Sequence, residues 1–362
     1  MSGVARGALW AVFTVCAFLC ADSLLFRAGW YNAYLEPDSS AGSLESQLHW
    51  LRTAHASPVP EVLAVGDSRV AEGFSSRIAQ AAAGGRLHFR NFGQAGTTPR
   101  VWYYALRDGD PTRRRFAAIV LALDNYSDAD RYGLSEDRIL DENFLAMRLG
   151  LGDCADFASS FDSTALRHTA FFNCLFRGIL LRQDVRAFLA HPIARIRHAR
   201  DWWKNGLGYQ NNYGGKSGSL RGLSVDWASG TIQFPDGVSE DVQANVRRFV
   251  LLGPGEDSRA LTRYRERWLG GIVDMYKDSP TRLIFLRLPR GPVVRPDAEQ
   301  PAGFVDSAAR LPKVTVLPAE TFTDLERPEV FADALHLNRE GRPIFSTRLG
   351  EKVESVLAGG GR

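Results

Sequence analysis

Three residues of complementary chemistry stand in two short segments near opposite ends of the chain. Ser68 closes the run Val65-Gly66-Asp67-Ser68, and Asp333 and His336 belong to Asp333-Ala334-Leu335-His336-Leu337-Asn338. A serine hydroxyl is a poor nucleophile until a neighbouring base takes its proton. Imidazole does this best when a carboxylate fixes its tautomer and stabilises the imidazolium. The i, i+3 spacing of Asp333 and His336 lets a single turn place the carboxylate against the ring nitrogen that faces away from the serine. The chemistry implied is acyl transfer through an acyl-serine, with Ser68, Asp333 and His336 as catalytic residues. Taken singly, Ser68 also reads as a helix N-cap and Asp333 as a cap or loop residue.

The elements that must position these residues follow a strand–helix rhythm. Residues 61–65 form a short apolar run ending in the Gly-Asp-Ser turn, and 69–83 read as the helix after it. Residues 87–92 are a second strand, closed by Gly93-Gln94-Ala95-Gly96, with a helix opening at Pro99. Residues 116–123 are a third, apolar throughout, as expected of a strand covered on both faces. The rhythm lapses after Asp124 and returns with strands at 282–288 and 313–317 and a terminal helix over 339–357. This alternation predicts an α/β fold with a central parallel sheet and helices on both faces. In such sheets ligands gather at the carboxyl ends of the strands, where Ser68, Gly96 and Asp124-Asn125 all fall.

In order and position these segments resemble the SGNH/GDSL family of serine hydrolases and acyltransferases. The Gly-Asp-Ser turn after the first strand is similar to that family's first block, residues 91–97 to its second, and the Asp-x-x-His segment with Gly341 beyond it to its last. The resemblance implies an SGNH-like three-layer sandwich. It also implies an oxyanion hole made by the backbone N–H groups of Ser68 and Gly96, with Gly93 as the alternative glycine, and by an asparagine side chain. The third block departs from the family pattern: around Ala122-Leu123-Asp124-Asn125 the glycine is missing and the last two residues are exchanged, which leaves either Asn125 as the candidate donor, if the turn is one residue longer, or a hole of backbone donors alone. The resemblance covers residues 61–125 and 282–357.

The N-terminus sets the compartment. Residues 8–26 are apolar apart from Asp22 and follow Arg6, a length suited to crossing a bilayer. They read as an uncleaved signal-anchor within residues 1–30, with a cleaved signal peptide as the competing reading. Residues 31–60, rich in polar residues and proline, read as a stalk. Residues 61–357 read as the domain, with core segments 61–125 and 239–357 and an insertion at 126–238. Placement in a bacterial inner membrane, with the domain in the periplasm or cell exterior, follows from this reading.

Net charge is +3, from 44 basic and 41 acidic residues, and no basic block is interleaved with aromatics, so nucleic acid is not an expected partner. Of the four cysteines, Cys16 and Cys20 lie in the apolar run, and Cys154 and Cys174 could pair. Neither set has zinc-site spacing, and no metal or cofactor is implied. Histidines 49, 88, 168, 191 and 198 have no partner motif. Trp202 and Trp203, with Tyr209, Tyr213 and Trp227 beyond, could form a sugar platform or simply core. Arg69 and Arg290 could hold an anionic group of a substrate.

The anchored members of the resembled family add or remove O-acyl groups on exported polysaccharides, often beside a multi-span membrane acyltransferase. The expectation is therefore O-acetyl transfer to a polysaccharide or other glycan acceptor. The alternatives are an esterase with the same triad and a non-catalytic glycan-binding or export scaffold.

Overall fold

The computed structural model describes residues 3–124, 140–205, 213–251, 259–295 and 303–359. The chain divides into two compact units, Met1–Thr53 with Glu136–Leu207 and Ala54–Ser135 with Gly208–Arg362.

The second unit is built on a parallel sheet of five strands. Its strands are β1 (Glu61–Gly66), β2 (His88–Gly93), β3 (Ala118–Leu123), β6 (Arg282–Arg287) and β7 (Val314–Val316), in the order β2-β1-β3-β6-β7. All five lie within a residue or two of where periodicity places them. β1 and β3 are buried at every position, as continuous apolar runs covered on both faces must be. On one side the helix Gly341–Gly359 packs on the helix Ser76–Ala82, and on the other the helix Pro99–Gly109 packs on the helix Arg259–Tyr276. Tyr104 and Trp268 meet in that second pair with ring centroids 5.6 Å apart. The fold is thus α/β with a central parallel sheet flanked by helices, as the rhythm predicts.

The first unit is helical. Ser40–Thr53, inside the stretch read as a stalk, is a helix that buries Leu44, Leu48 and Leu51, an i, i+4, i+7 stripe obscured in sequence by its Ser, Gly and Gln neighbours. The described residues between 140 and 238 are divided between the two units. The helices between Asp141 and Asn205 belong to the unit that holds the N-terminus. The hairpin of β4 (Ser224–Asp226) and β5 (Thr231–Gln233) belongs to the sheet unit. There Leu220 and Leu223 are buried in the core, with Trp227 and Phe234 packed against it.

The helix Gly3–Asp22 runs on through Ser23–Arg27, and the span Val4–Arg27 is long and apolar enough to cross a membrane. Leu9, Trp10, Val12, Phe13, Val15 and Phe18 are each at least half exposed, an uncovered apolar surface suited to lipid. Asp22, the interruption in the apolar run, is buried and caps another helix. Its carboxylate accepts the N–H groups of Arg177 at 3.1 Å and Gly178 at 2.7 Å, at the start of Arg177–Ala190. Cys154 and Cys174 form a disulfide that joins the helices Cys154–Ser159 and Thr164–Leu175.

Candidate active site

The site is assembled at the carboxyl ends of β1, β2 and β3. β1 ends at Gly66, where a Cβ would meet Val70 Cγ2 at 2.3 Å, so only glycine lets the chain turn this tightly into the next helix. Asp67 is that helix's N-cap, its carboxylate accepting the Arg69 N–H at 2.9 Å, and Ser68 is the first helical residue. A first helical residue has no intrahelical acceptor for its N–H, which makes the Ser68 N–H a donor suited to an oxyanion. The cap that Ser68 suggests in isolation is thus supplied by Asp67.

β2 braces the nucleophile turn from below. Asn91 is buried and donates through Nδ2 to the carbonyls of Val70, Ala71 and Phe74, each at 3.1 Å, closing the end of the Ser68 helix. At Gly93 a Cβ would strike the Ala71 backbone nitrogen at 2.2 Å, so this strand end can lie directly on that helix only without a side chain. The turn after β2 is fastened to β1: the Gly66 carbonyl accepts from the Gln94 N–H at 2.9 Å and from Thr97 Oγ1 at 3.2 Å. Gly96 lies within that turn at φ +79°, a left-handed conformation that favours glycine. Gly96 thus sits in a turn anchored to the strand that delivers Ser68. Asn125 lies outside the described residues.

The other half of the site is the loop 330–338, pinched into a narrow hairpin. Asn338 N–H donates to Val330 at 2.9 Å, and Ala332 N–H donates to the His336 carbonyl at 2.9 Å. The Asn338 side chain donates to the Glu329 carbonyl at 2.8 Å. Its Oδ1 accepts the N–H groups of Glu340 and Gly341, joining the loop to the start of the last helix. At the tip, Asp333 Oδ1 accepts the N–H groups of Leu335 and His336 at 2.9 Å each. Its two oxygens lie 2.9 and 3.0 Å from His336 Nδ1. His336 Nε2 is 2.9 Å from Ser68 Oγ. The three residues the sequence singles out form one continuous hydrogen-bonded chain.

Two residues that sequence reading missed adjoin it. Lys216 Nζ stands 3.0 Å from Asp333 Oδ2, 3.5 Å from His336 Nδ1 and 3.3 Å from Glu72 Oε2. Glu72 comes from the nucleophile helix, one turn beyond Ser68. Lys216 is delivered by its own backbone, whose carbonyl accepts the Arg339 N–H at 3.0 Å. No local motif marks either residue. The only sequence signal is Glu72 at i+4 from Ser68, on the same helix face.

The electrostatics follow from these contacts. Burial alone would push the Asp333 carboxyl up, but the His336 hydrogen bond and charge, the Leu335 N–H and the Lys216 ammonium hold it well below the usual carboxylate range. Burial works against the Lys216 ammonium, and Asp333 and Glu72 more than compensate, raising it. Asp67 is also pushed up by burial and brought below its usual range by Arg69, with His336 contributing.

The remaining candidates go elsewhere. Arg69 is buried and ion-paired to Asp67 at 2.6 Å and to Asp124 after β3, so its guanidinium ties two strand ends together. Arg290 makes a two-pronged ion pair with Glu326, at 2.9 and 2.7 Å. Trp202 and Trp203 lie on the helix Pro192–Asn205 of the helical unit, where Trp203 packs edge-on against His49. In the sheet unit Tyr213 lies under the Arg342 guanidinium and Trp227 packs on the core. Tyr209 lies outside the described residues. The described aromatics thus fall in different units, Trp202 and Trp203 in the helical one and Tyr213 and Trp227 in the sheet unit. Among the described residues, Glu36, Asp38 and His198 bring three ligand-type atoms within 4.8 Å of one another, with Glu36 already paired to Arg195 at 2.9 Å.

Comparison with known proteins adds little to this geometry. No family model matches the chain, and no curated protein matches it. A solved structure of a possible lipase from Chitinophaga pinensis aligns with 82% of this chain and 98% of its own at 13% identity, with a TM-score of 0.24. A likeness that low says nothing of this chain's chemistry.

Proposed function

We propose that the protein is a membrane-anchored serine enzyme of the SGNH type that transfers acyl groups through an acyl-Ser68 intermediate, and that its acceptor is a hydroxyl of an exported polysaccharide. The observation that carries this reading is the unbroken chain from Ser68 Oγ through His336 to Asp333.

In the first half-reaction Ser68 Oγ attacks the ester carbonyl while its proton passes to His336 Nε2. Asp333 holds Nδ1–H and stabilises the imidazolium. The negative charge on the carbonyl oxygen is met by the N–H groups of Ser68 and Gly96, with Asn125 as a third donor. The acyl–oxygen bond to the leaving group then breaks, and the leaving alkoxide takes the proton from His336. In the second half-reaction the acceptor hydroxyl gives its proton to His336 and attacks the acyl-serine; the acyl–Oγ bond breaks, and Ser68 Oγ takes the proton back from His336. Water in the acceptor's place makes the same site an esterase.

The setting supports an exported substrate. The chain carries a helix able to span a membrane, and its Cys154–Cys174 disulfide suits an oxidising compartment. A bacterial inner membrane with the site on the periplasmic side fits both. The resemblance of the Ser68 and His336 segments to anchored glycan O-acyltransferases supplies the acetyl group, the polysaccharide and a multi-span membrane partner as acyl donor.

The test uses the full chain in detergent with an activated acetyl ester and candidate polysaccharides, measuring acetate release and acetylated glycan together. Acetyl groups on sugar, lost in Ser68→Ala, support transfer. Ser68-dependent acetate release that no glycan diverts makes the protein an esterase. Equal behaviour of wild type and Ser68→Ala in both assays would refute the acyl-serine reading.

A further inference from the structure

We propose that Lys216 is a positioning residue for the Ser68–His336–Asp333 chain, with Glu72 as the counter-charge that makes its presence there tolerable. The inference rests on the acyl-serine reading above.

The geometry leads to it in three steps. Asp333 Oδ1 is already engaged by two backbone N–H groups and by the imidazole, whereas Oδ2 is met by the Lys216 ammonium at 3.0 Å. A carboxylate held at both oxygens cannot rotate, and the imidazole it orients is fixed with it. Lys216 also lies 3.5 Å from His336 Nδ1, so an unbalanced ammonium there would oppose the imidazolium that forms during attack. Glu72, 3.3 Å from Lys216, removes that penalty. The trio of Asp333, Lys216 and Glu72 carries one net negative charge, the same as the lone aspartate of a simple triad, but with the carboxylate clamped.

The other charges facing His336 are accounted for. On the Ser68 side stands Asp67, which is ion-paired to Arg69, and Arg69 is shared in turn with Asp124. That group is tied to the ends of β1 and β3, whereas Lys216 and Glu72 stand on the Asp333 side of the ring. Changes at Lys216 and Glu72 therefore report on the clamp.

The clamp predicts effects of opposite sign. Lys216→Met leaves two carboxylates near the ring, favours the protonated imidazole, and moves the acid limb of kcat/KM to higher pH by about one unit. Glu72→Gln leaves the ammonium uncompensated and moves the same limb to lower pH. Loss of the clamp in Lys216→Met lowers kcat about ten- to a hundredfold with little change in KM. Lys216→Arg, which keeps the charge, recovers most of the loss.

The experiment measures kcat and KM against pH for hydrolysis of p-nitrophenyl acetate by the full-length protein in detergent, alongside labelling of Ser68 by a fluorophosphonate. Thermal melts establish that each variant is folded, and if Lys216→Met does not fold, Lys216→Arg and Glu72→Gln carry the comparison. Opposite displacements of the acid limb with rescue by arginine support the inference. An active, Ser68-dependent wild type whose Lys216 and Glu72 variants keep its profile, or move it in the same direction, overturns the clamp and leaves the acyl-serine reading standing. A wild type that neither turns over the ester nor labels at Ser68 removes that reading, and the clamp with it.

Discussion

His336 Nε2 and Ser68 Oγ, 268 residues apart in sequence, meet at 2.9 Å. The contact joins the turn after the first sheet strand to the loop before the last helix. The two segments also pack together: Arg342 of the last helix donates to the Phe74 carbonyl at the end of the Ser68 helix at 3.2 Å, and Leu337 lies against Gly73.

Ser68→Ala is expected to abolish ester turnover, with a loss on the order of 10⁴-fold or more in kcat, because the nucleophile and the acyl intermediate disappear together. Stability should stay within about 0.5 kcal/mol of wild type, since Ser68 is half-buried and caps nothing. Mass spectrometry after brief exposure to an activated ester should find one acyl group on wild type and none on the variant.

Asp333→Asn should reduce kcat by about 10³- to 10⁴-fold while leaving the fold intact, because the neutral amide does not stabilise the imidazolium and its NH₂, donated to Nδ1, favours the wrong tautomer. The Asp333 carboxyl is held well below the usual range, so its own protonation should not set the acid limb of the wild-type profile. A steady-state pH series on both proteins checks this.

Arg69→Met should unfold or strongly destabilise the sheet unit, by about 3–5 kcal/mol, because it strands Asp67 and Asp124 as uncompensated carboxylates at two strand ends. Urea titration measures the loss. A stable variant with an intact denaturation midpoint and only a raised KM would instead return Arg69 to the substrate.

Stability should fall on acidification. The Glu61 carboxyl, at the start of β1, is pushed up by burial but brought below its usual value by Arg90 at 2.5 Å and Arg115 at 3.3 Å. Asp67 and Asp333 are also held low. Groups whose folded pKa lies below the unfolded one add stability that is present above about pH 4 and is lost as pH falls through the folded values. Melting temperature should therefore drop below about pH 4, and Glu61→Gln, destabilised at neutral pH, should show a shallower drop.

Removal of residues 1–21 should release the protein from membranes into the soluble fraction with its helical unit intact. Removal of residues 1–27 should also destabilise that unit. It takes away the Asp22 cap on Arg177–Ala190, the buried Phe26, and the Arg27 side chain, which donates to the Leu149 and Leu175 carbonyls. Fractionation and limited proteolysis distinguish the two truncations.

What the sequence determined by itself was whatever local chemistry and periodicity encode. Short apolar runs placed the five parallel strands, and the Gly-Asp-Ser and Asp-x-x-His spacings named Ser68, Asp333 and His336, because strand periodicity and one-turn pairs are short-range facts. The apolar run with a single aspartate marked the N-terminal helix for the same reason. The tertiary structure decided whatever depends on which surfaces meet. It turned the supposed stalk into a helix by burying Leu44, Leu48 and Leu51, and it committed Arg69 to Asp67 and Asp124. It divided the aromatics between two units, and it brought Lys216 and Glu72 to the back of Asp333. A lysine that serves as a counter-ion to a carboxylate 117 residues away has the same local sequence as one that faces solvent. Its role is an energy between distant groups, and only the folded chain sets that distance.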